Sequence, residues 1–253
     1  MMINSGAWSS KGVRPLNEDS FFLGIYQGSG PEESRAAYSG KAGGAGRFFF
    51  VADGMGGHAA GDAASAFVAG KLAATASEYA ALDAPALEVT VKQVHSGLLA
   101  FGARRGTPNM GSTLAGILVQ GAGHPSAFFN VGDSRVYRLR KGFLRQLSHD
   151  DSLANLIPGG APNIITNAMG AGIKEITVQS RFAPSLAAAG DIFFMCSDGV
   201  HGALSDGELE TSLKASDDPE SIARRIVEKA IANNSDDNCT AVVVKLAEEF
   251  IVE

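Results

Sequence analysis

The stretch Arg47–Gly54, RFFFVADG, sets an unbroken apolar run directly before an aspartate and a glycine. Two more stretches follow the same plan, FFNVGDS at 128–134 and FFMCSDG at 193–199. A buried strand that ends in such a tight turn places its carboxylate at the rim of a sheet, on a rigid support. The pattern therefore predicts three strands that each end in an aspartate: Asp53, Asp133 and Asp198.

The order of the predicted elements favours an α+β fold. After the first strands come helices at 59–81 and 84–105, strands at 111–120, 126–131, 135–140, 143–147, 175–182 and 191–196, helices at 205–215 and 218–233, and a strand at 239–247. A parallel doubly wound sheet would need strands and helices to alternate regularly, which they do not. We expect a four-layer αββα sandwich, with two antiparallel sheets face to face and one helix pair outside each sheet.

The composition is that of one ordinary globular domain over residues 1–253, with 45% hydrophobic and 19% charged residues. The net charge of -6 disfavours a nucleic-acid partner. We find neither an apolar run of about 18 residues, as a membrane helix needs, nor a secretory signal, so we expect a cytoplasmic protein without a membrane partner. Cys196 and Cys239 lie in apolar runs, which predicts buried free thiols.

Residues 27–46, QGSGPEESRAAYSGKAGGAG, are rich in glycine, serine and small side chains. They separate two apolar runs, and the second run begins immediately afterwards. This composition predicts a long, mobile hairpin loop between two strands.

Two further acidic clusters adjoin strand-like runs: Asn17-Glu18-Asp19 and Asp236-Asp237-Asn238. Carboxylates gathered at one rim repel each other, and a bound divalent cation removes that cost. Oxygen ligands without a set of cysteines or histidines favour Mg²⁺ or Mn²⁺ over Zn²⁺. The sequence thus predicts a metal site, provided that the acids converge in space.

At this point the chain resembles the metal-dependent protein serine/threonine phosphatases of type 2C, in their compact bacterial form, from about Ser5 to Leu246. The strings that carry the resemblance stand in family order: RPLNED from Arg14, DGMGGHAAGDAAS from Asp53, Gly111-Ser112-Thr113, NVGDSRVYRLR from Asn130, NIITNAMG from Asn163, CSDGV from Cys196 and DDNCTAVVV from Asp236. Each string alone is weak, but together and in this order they are specific.

The resemblance implies a role for each matching position. Asp53 would bridge two metal ions, with further ligands from the carboxylates of Glu18, Asp19, Asp198 and Asp237 and from the Gly54 carbonyl. Asp133 together with Asp198 would hold a third ion. Arg14 would bind the substrate phosphate, and His58 would act as the general acid. His95, His124, His149 and His201 carry no motif, and we expect them to be structural or solvent-facing.

The implied reaction is hydrolysis of phosphoserine and phosphothreonine by a hydroxide that bridges two Mn²⁺ or Mg²⁺ ions. The expected partners are phosphorylated proteins, including a Ser/Thr kinase and its targets, and the expected state is a monomer. One alternative is a catalytically weak, metal-binding phosphoprotein sensor on the same fold, which ranks lower because the metal acids are retained. A purely structural interaction domain gives no account of those acids.

The chain departs from the family pattern at three places. Asp151 stands where the family often has the histidine of Asp-His-Ser, which puts the local support of the flap in doubt. Asn167 replaces the arginine of Thr-Arg-Ala-Leu-Gly, so that a positive charge is lost. The segment 155–163, NLIPGGAPN, is much shorter than the usual flap, which predicts a more open site unless a partner or the 27–46 segment takes over the role of the flap.

Overall fold

The computed structural model describes residues 1–30, 32–42, 46–56, 60–76, 82–121, 123–161, 164–216 and 218–249. The strands in these ranges are β1 (Met2–Ser10), β2 (Asp19–Leu23), β3 (Tyr26–Ser29), β4 (Glu33–Lys41), β5 (Arg47–Met55), β6 (Gly111–Ser112), β7 (Leu114–Val119), β8 (Ser126–Val131), β9 (Arg135–Arg140), β10 (Phe143–Gln146), β11 (Met169–Gly170), β12 (Gln179–Ala183), β13 (Ile192–Cys196) and β14 (Cys239–Ala247). The helices are α1 (Gly61–Ala76), α2 (Ala84–Arg105), α3 (Leu153–Leu156), α4 (Asp198–His201), α5 (Asp206–Lys214) and α6 (Pro219–Ala232).

The strands of the described residues form two sheets with antiparallel pairing. One sheet has the strand order β10-β9-β13-β14-β1-β4, so that β14 lies between β13 and β1. The other has the order β11-β6-β5-β7-β8-β12, and β2 joins it by pairing with both β5 and β3. The two strands β5 and β14, which run into or out of the predicted acidic turns, are therefore interior strands.

The continuous apolar runs are explained by burial on both faces of each sheet. In β5, Phe48 and Phe50 belong to the core under α1 and α2, whereas Phe49 and Val51 belong to the core between the sheets. In the other sheet, Val242 and Val244 face the core between the sheets, and Val243 lies in the core with α5 and α6. Three cores between four layers confirm the predicted αββα sandwich.

The helix boundaries follow local capping signals. Asp83 caps α2 by accepting a hydrogen bond from the Ala86 amide at 2.9 Å, and Gly106 ends that helix in a left-handed conformation. Ser205 and Glu208 form a capping box at the start of α5. The predicted helix at 59–81 is found as Gly61–Ala76, and residues 77–81 lie outside the described residues.

The prediction of a mobile loop over residues 27–46 is wrong. Residues 27–29 belong to β3, and residues 33–41 form β4. Strand β4 pairs with β1 along nine residues, from Met2 opposite Lys41 to Ser10 opposite Glu33. Ala36 and Tyr38 pack against the core between the sheets. The period-two pattern of a strand is present, but small and polar side chains carry it, so the local composition resembled that of a loop.

Within the described residues, no helix combines the length and apolarity needed to cross a bilayer. Both cysteines are buried and free, as predicted. Burial raises the pKa of both thiols, to about 11 for Cys239, so they remain protonated and unreactive at neutral pH.

Candidate metal centre and active site

Aspartates from both sheets meet at one edge of the sandwich. Asp19 at the start of β2 lies directly opposite Asp53 near the end of β5. In the other sheet, Asp198 follows β13, and Asp237 precedes β14, which pairs with β13. A cavity of about 400 Å³ opens between them, and its lining includes Arg14, Glu18, Asp53, Gly54, Asp198 and Asp237. The predicted convergence of these residues is therefore observed in the fold.

Asp19 lies behind this cavity and is 2% exposed. Its Oδ2 accepts hydrogen bonds from Ser197 Oγ at 2.8 Å and from Thr240 Oγ1 at 2.6 Å. Its Oδ1 has no hydrogen-bond partner among the described residues. The pKa of Asp19 is raised to about 7, chiefly by burial and to a smaller extent by the charges of Asp198 and Asp237, against the lowering effect of the two hydroxyls.

The neighbouring aspartates are electrostatically strained in the same way. Burial raises the pKa of Asp53 well above its ordinary value, and the charges of Asp19 and Asp198 add to this effect. Burial and the charge of Asp237 raise the pKa of Asp198. Burial, followed by the charge of Asp198, raises the pKa of Asp133 to about 7. Each acid acts on the next, so these groups form one cluster of like charges.

This cluster fits a hard divalent cation. Asp19, Asp133 and Asp198 each have a buried carboxylate oxygen that receives no hydrogen bond from the described residues. Carboxylate and carbonyl oxygens are the ligands that Mg²⁺ and Mn²⁺ prefer. No three His, Cys, Asp or Glu side chains in the described ranges close tightly enough to enclose an ion by themselves. Mg²⁺ usually keeps several water ligands and is held by one or two carboxylates rather than by a closed protein cage.

Two glycines make the turns after the acids possible. A Cβ on Gly54 would overlap the carbonyl oxygens of Gly61 and Glu18, and the Gly54 amide donates to that Glu18 oxygen at 3.1 Å. A Cβ on Gly199 would overlap the carbonyl oxygen of Asn238. The Asp-Gly pairs thus allow the ligand segments to approach each other closely, beyond forming a turn.

Arg14 lies exposed at the mouth of the cavity. Its Nη2 donates to Asp237 Oδ2 at 2.8 Å, and its Nε donates to the Asp236 carbonyl oxygen at 2.6 Å. A guanidinium carries five N–H donors, so these two bonds leave three donors for another oxygen-rich group. The predicted phosphate-binding residue is therefore held in place without being saturated.

Asn238, which the sequence indicated only as part of the cluster Asp236-Asp237-Asn238 and of the string DDNCTAVVV, is a supporting residue. Its Oδ1 accepts a hydrogen bond from the Glu18 amide at 2.8 Å. Its Nδ2 donates to the carbonyl oxygens of Lys11 and Leu16 at 3.0 and 2.9 Å. The side chain thereby fixes the segment that carries Arg14 and Glu18 to the start of β14.

Two other supporting residues had no signal of their own. Ser197, described above, bonds Asp19, and Asn17 accepts a hydrogen bond from the Asp19 amide at 3.2 Å. Both adjoin an acid in the motif strings, which is the one hint that the sequence contains.

Asp133 lines a second cavity of about 400 Å³ that shares Asp198 and Asp237 with the first. His201 lines it too, and its Nε2 lies 3.0 Å from the Asp133 carbonyl oxygen. Burial and the charge of Arg135 lower the pKa of His201 to about 4, so the neutral ring donates to that oxygen. His201 is thus structural. The predicted general acid, His58, lies outside the described residues.

The short segment that replaces a flap also reaches the active-site cavity. Ser152 and Ile165 form an isolated antiparallel bridge around α3, and the side chain of Ile165 lines the first cavity. Leu156, the last residue of α3, is 68% exposed. The segment therefore places one apolar residue, Ile165, at the cavity that Arg14 also lines, while residues 162–163 lie outside the described residues.

Comparisons with known proteins agree with this arrangement. A family model described as protein phosphatase 2C matches residues 35–238. The serine/threonine protein phosphatase PstP of Mycobacterium tuberculosis is 32% identical over 263 residues, which cover 98% of this chain and 46% of PstP. The serine/threonine phosphatase Stp of Listeria monocytogenes is 32% identical over 213 residues, covering 77% of this chain and 82% of Stp.

Among solved structures, the catalytic domain of PstP in complex with two manganese ions superimposes with a TM-score of 0.77 and 30% identity. The superposition covers 98% of this chain and 100% of that domain. The chain spans about half the length of the full mycobacterial relative.

Proposed function

The chain belongs to the protein phosphatase 2C family, and from this we propose that it is a metal-dependent phosphatase of phosphoserine and phosphothreonine in proteins. The observation that carries the proposal is the convergence of Glu18, Asp53, Asp198 and Asp237 on a cavity with Arg14 at its mouth. Buried carboxylate oxygens without hydrogen-bond partners among the described residues, and raised carboxylate pKa values, are expected of a cation-binding site when no cation is bound.

We assign the ligands as follows: Asp53, Glu18, Asp198, Asp237 and the Gly54 carbonyl at the core, with Asp19 behind them. These oxygens would hold two divalent ions, Mn²⁺ or Mg²⁺, which would supply positive charge at the phosphate and a water molecule of lowered pKa as the nucleophile. Asp19 lies behind these ligands, and the hydrogen bonds from Ser197 and Thr240 to its Oδ2 fix the direction of its Oδ1. The manganese ions of PstP favour this assignment by similarity.

Arg14 orients the substrate in this proposal. Its remaining N–H donors would form paired hydrogen bonds to two phosphate oxygens, while the bond to Asp237 holds the guanidinium at the mouth of the cavity. The leaving serine or threonine oxygen needs a proton, and we keep His58 as the proposed donor. The whole reaction requires no nucleophile from the protein.

The finer parts of the proposal rest on family resemblance and on the position of single residues. Asp133 and Asp198 would hold a third ion, and the orphaned Oδ1 of each supports this. The substrates would be phosphoproteins, including a Ser/Thr kinase and its targets. We further propose that residues 1–253 act as one catalytic domain, monomeric and cytoplasmic.

Hydrolysis of para-nitrophenyl phosphate and of a phosphothreonine peptide tests the proposal, with EDTA, Mg²⁺ or Mn²⁺ and with the variant Asp53→Ala. We expect metal-dependent turnover that falls by about 1,000-fold or more in the variant. Asp83→Ala, which removes only the cap of α2, is the matched control and should keep wild-type turnover. Folded protein that binds Mn²⁺ without turnover in any metal would contradict the phosphatase and favour the sensor.

A further inference from the structure

The two single-residue departures from the family pattern contact each other. Asn167 Nδ2 donates a hydrogen bond to Asp151 Oδ2 at 2.7 Å. The sequence presented these residues as two separate losses, of a histidine and of an arginine. In the fold they form one pair, which connects the base of the short flap segment to the site.

Asp151 receives hydrogen bonds from three different segments. Besides Asn167, the Gly132 amide donates to its Oδ2 at 3.0 Å, and Gln179 Nε2 donates to its Oδ1 at 3.1 Å. All three partners are N–H donors, so an ionised carboxylate matches them and a side chain with its own donor does not. The Asp151 backbone adds a fourth contact, because its amide donates to the Gly132 carbonyl oxygen at 3.0 Å.

Gly132 cannot be held by a side chain of its own. Its φ of 104° is unfavourable for other residues, and a Cβ there would press against the side chain of Thr113. The turn is therefore fixed by its neighbours, chiefly through Asp151 and through Asn130 Nδ2, which donates to the Gly132 carbonyl at 3.0 Å. The next residue is Asp133, whose buried Oδ1 has no hydrogen-bond partner among the described residues.

The other side of the pair anchors the flap segment. The Thr166 amide donates to the Asp151 carbonyl oxygen at 2.8 Å, and Asn167 exchanges two hydrogen bonds with the backbone of Thr177 at 2.8 and 3.2 Å. Asp151 thus joins the end of the flap segment to the turn before Asp133.

We propose that Asp151 is a positioning residue that, with Asn167, fixes the Gly132–Asp133 turn and so sets the affinity of the Asp133–Asp198 pair for a divalent cation. This inference rests on the proposed function only for the cation at that pair. The bond network itself is a property of the fold. Asp151 reaches the cation through Gly132 and Asp133 and does not touch it.

Calorimetric titration of metal-stripped protein with Mn²⁺ tests the proposal. Asp133→Asn identifies the class of sites that belongs to the pair, because it removes that class. Asp151→Asn keeps the volume but turns an amide donor toward the donors around it, and we expect about tenfold weaker binding in that class. The other classes of Mn²⁺ sites, which are still present in Asp133→Asn, should keep their affinity within twofold in Asp151→Asn.

Asn167→Ala and the double variant separate positioning from general damage. The single change should weaken the same class about threefold, and its addition to Asp151→Asn should cause little further loss, because both act through one network. Asn155→Ala is the matched control, since Asn155 donates to the Asp150 carbonyl at 2.8 Å in the same segment without touching Gly132. It should leave every class unchanged.

Wild-type Mn²⁺ affinity in Asp151→Asn would overturn this inference and leave the metal site standing. Equal weakening of all classes, together with a lower melting temperature in EDTA, would also overturn it, because Asp151 would then be only structural. If Asp133→Asn changes no Mn²⁺ binding at all, the assignment of a cation to Asp133 fails, and the inference fails with it.

Discussion

Strand β13 has an aspartate at each end, and the fold treats the two charges in opposite ways. Asp191, just before the strand, is 2% exposed and accepts hydrogen bonds from Arg140 Nε at 2.6 Å and from the Ala188 amide at 2.8 Å. Asp198, just after it, has an orphaned Oδ1 among the described residues, and burial together with Asp237 raises its pKa.

The difference separates a structural carboxylate, Asp191, from the proposed metal ligand Asp198. At the Asp191 end, Arg140 from the neighbouring strand β9 forms an ion pair with the carboxylate, so the charge is neutralised within the fold. At the Asp198 end, the charge of Asp237 adds to the effect of burial, and the repulsion between these aspartates is a cost of folding that a bound cation would remove. The two ends of β13 can therefore be compared directly, with Asp191 as the control for the proposed role of Asp198.

Among the changes that test this contrast between the two ends of β13, the largest effect is expected for Asp198→Asn. Loss of this proposed ligand should lower metal-dependent phosphatase turnover by about 100-fold or more, because cation binding would be weakened directly. The same change should raise the melting temperature of the protein in EDTA, since it removes one of the like charges. Turnover assays and thermal melts of the same preparation measure both. A variant that is inactive and also less stable in EDTA would contradict this interpretation of the site.

The mirror-image change, Asp191→Asn, should give the opposite pattern. An amide there faces the donors of Arg140 and Ala188, so we expect the free energy of unfolding to fall by about 3 kcal/mol. Turnover and Mn²⁺ affinity should remain within twofold of the wild type. Urea denaturation and calorimetry check the two halves, and a large loss of Mn²⁺ affinity would show that the two ends of β13 are not independent.

Arg14→Lys refines the contrast between the arginines at the two ends. A lysine keeps the charge but loses the paired donors, so kcat/KM for para-nitrophenyl phosphate should fall by about tenfold, with Mn²⁺ affinity within twofold. Arg225→Lys, at an exposed position on α6, is the control and should change nothing. Equal kinetics in both variants would remove Arg14 from the substrate site.

The smallest effect is a pH dependence of the metal-free protein. Asp19 and Asp133 have pKa values raised to about 7, so between pH 6.5 and 8 the folded state loses protons that the unfolded state has already lost. Stability in EDTA should therefore decrease as the pH rises, by at least about 3 °C in melting temperature. His201 has the opposite effect on stability, because its pKa is lowered to about 4 in the folded state. Its contribution changes only below its unfolded pKa near 6.5, where stability falls as the pH falls.

Thermal melts at constant ionic strength, with and without excess Mn²⁺, test this sign. Bound Mn²⁺ competes with protons for the same carboxylates, so its stabilising effect should increase over the same pH range. A melting temperature that rises with pH in EDTA would show that these aspartates are already ionised in the metal-free fold.

The sequence was most informative where a property is carried by neighbouring residues. Apolar runs that end in Asp-Gly predicted the rim positions of Asp53 and Asp198, and the fold brings both to one cavity. The helix predicted at 84–105 coincides with α2, whose ends are fixed by local contacts such as the Asp83 cap. The four layers followed from the order of elements and from strands that are apolar on both faces.

Long-range contacts explain what the sequence did not reveal. The composition of 33–41 is that of a loop, and only pairing with β1 along nine residues makes it a strand. Asp151 and Asn167 are separated by 15 other residues, so neither substitution shows its partner until the fold brings them together. His58 keeps its proposed role on resemblance alone.

The central position of β14 has a consequence for how the protein acquires activity during synthesis. This strand is the last of the described strands in chain order, yet it lies between β13 and β1 and brings Asp237 and Thr240 to the acids. A nascent chain that still lacks it has two halves of a sheet without the strand that joins them. The acidic cluster is thus incomplete until β14 has been synthesised, and a nascent chain arrested before residue 237 would lack Asp237 and Thr240 at the proposed metal site.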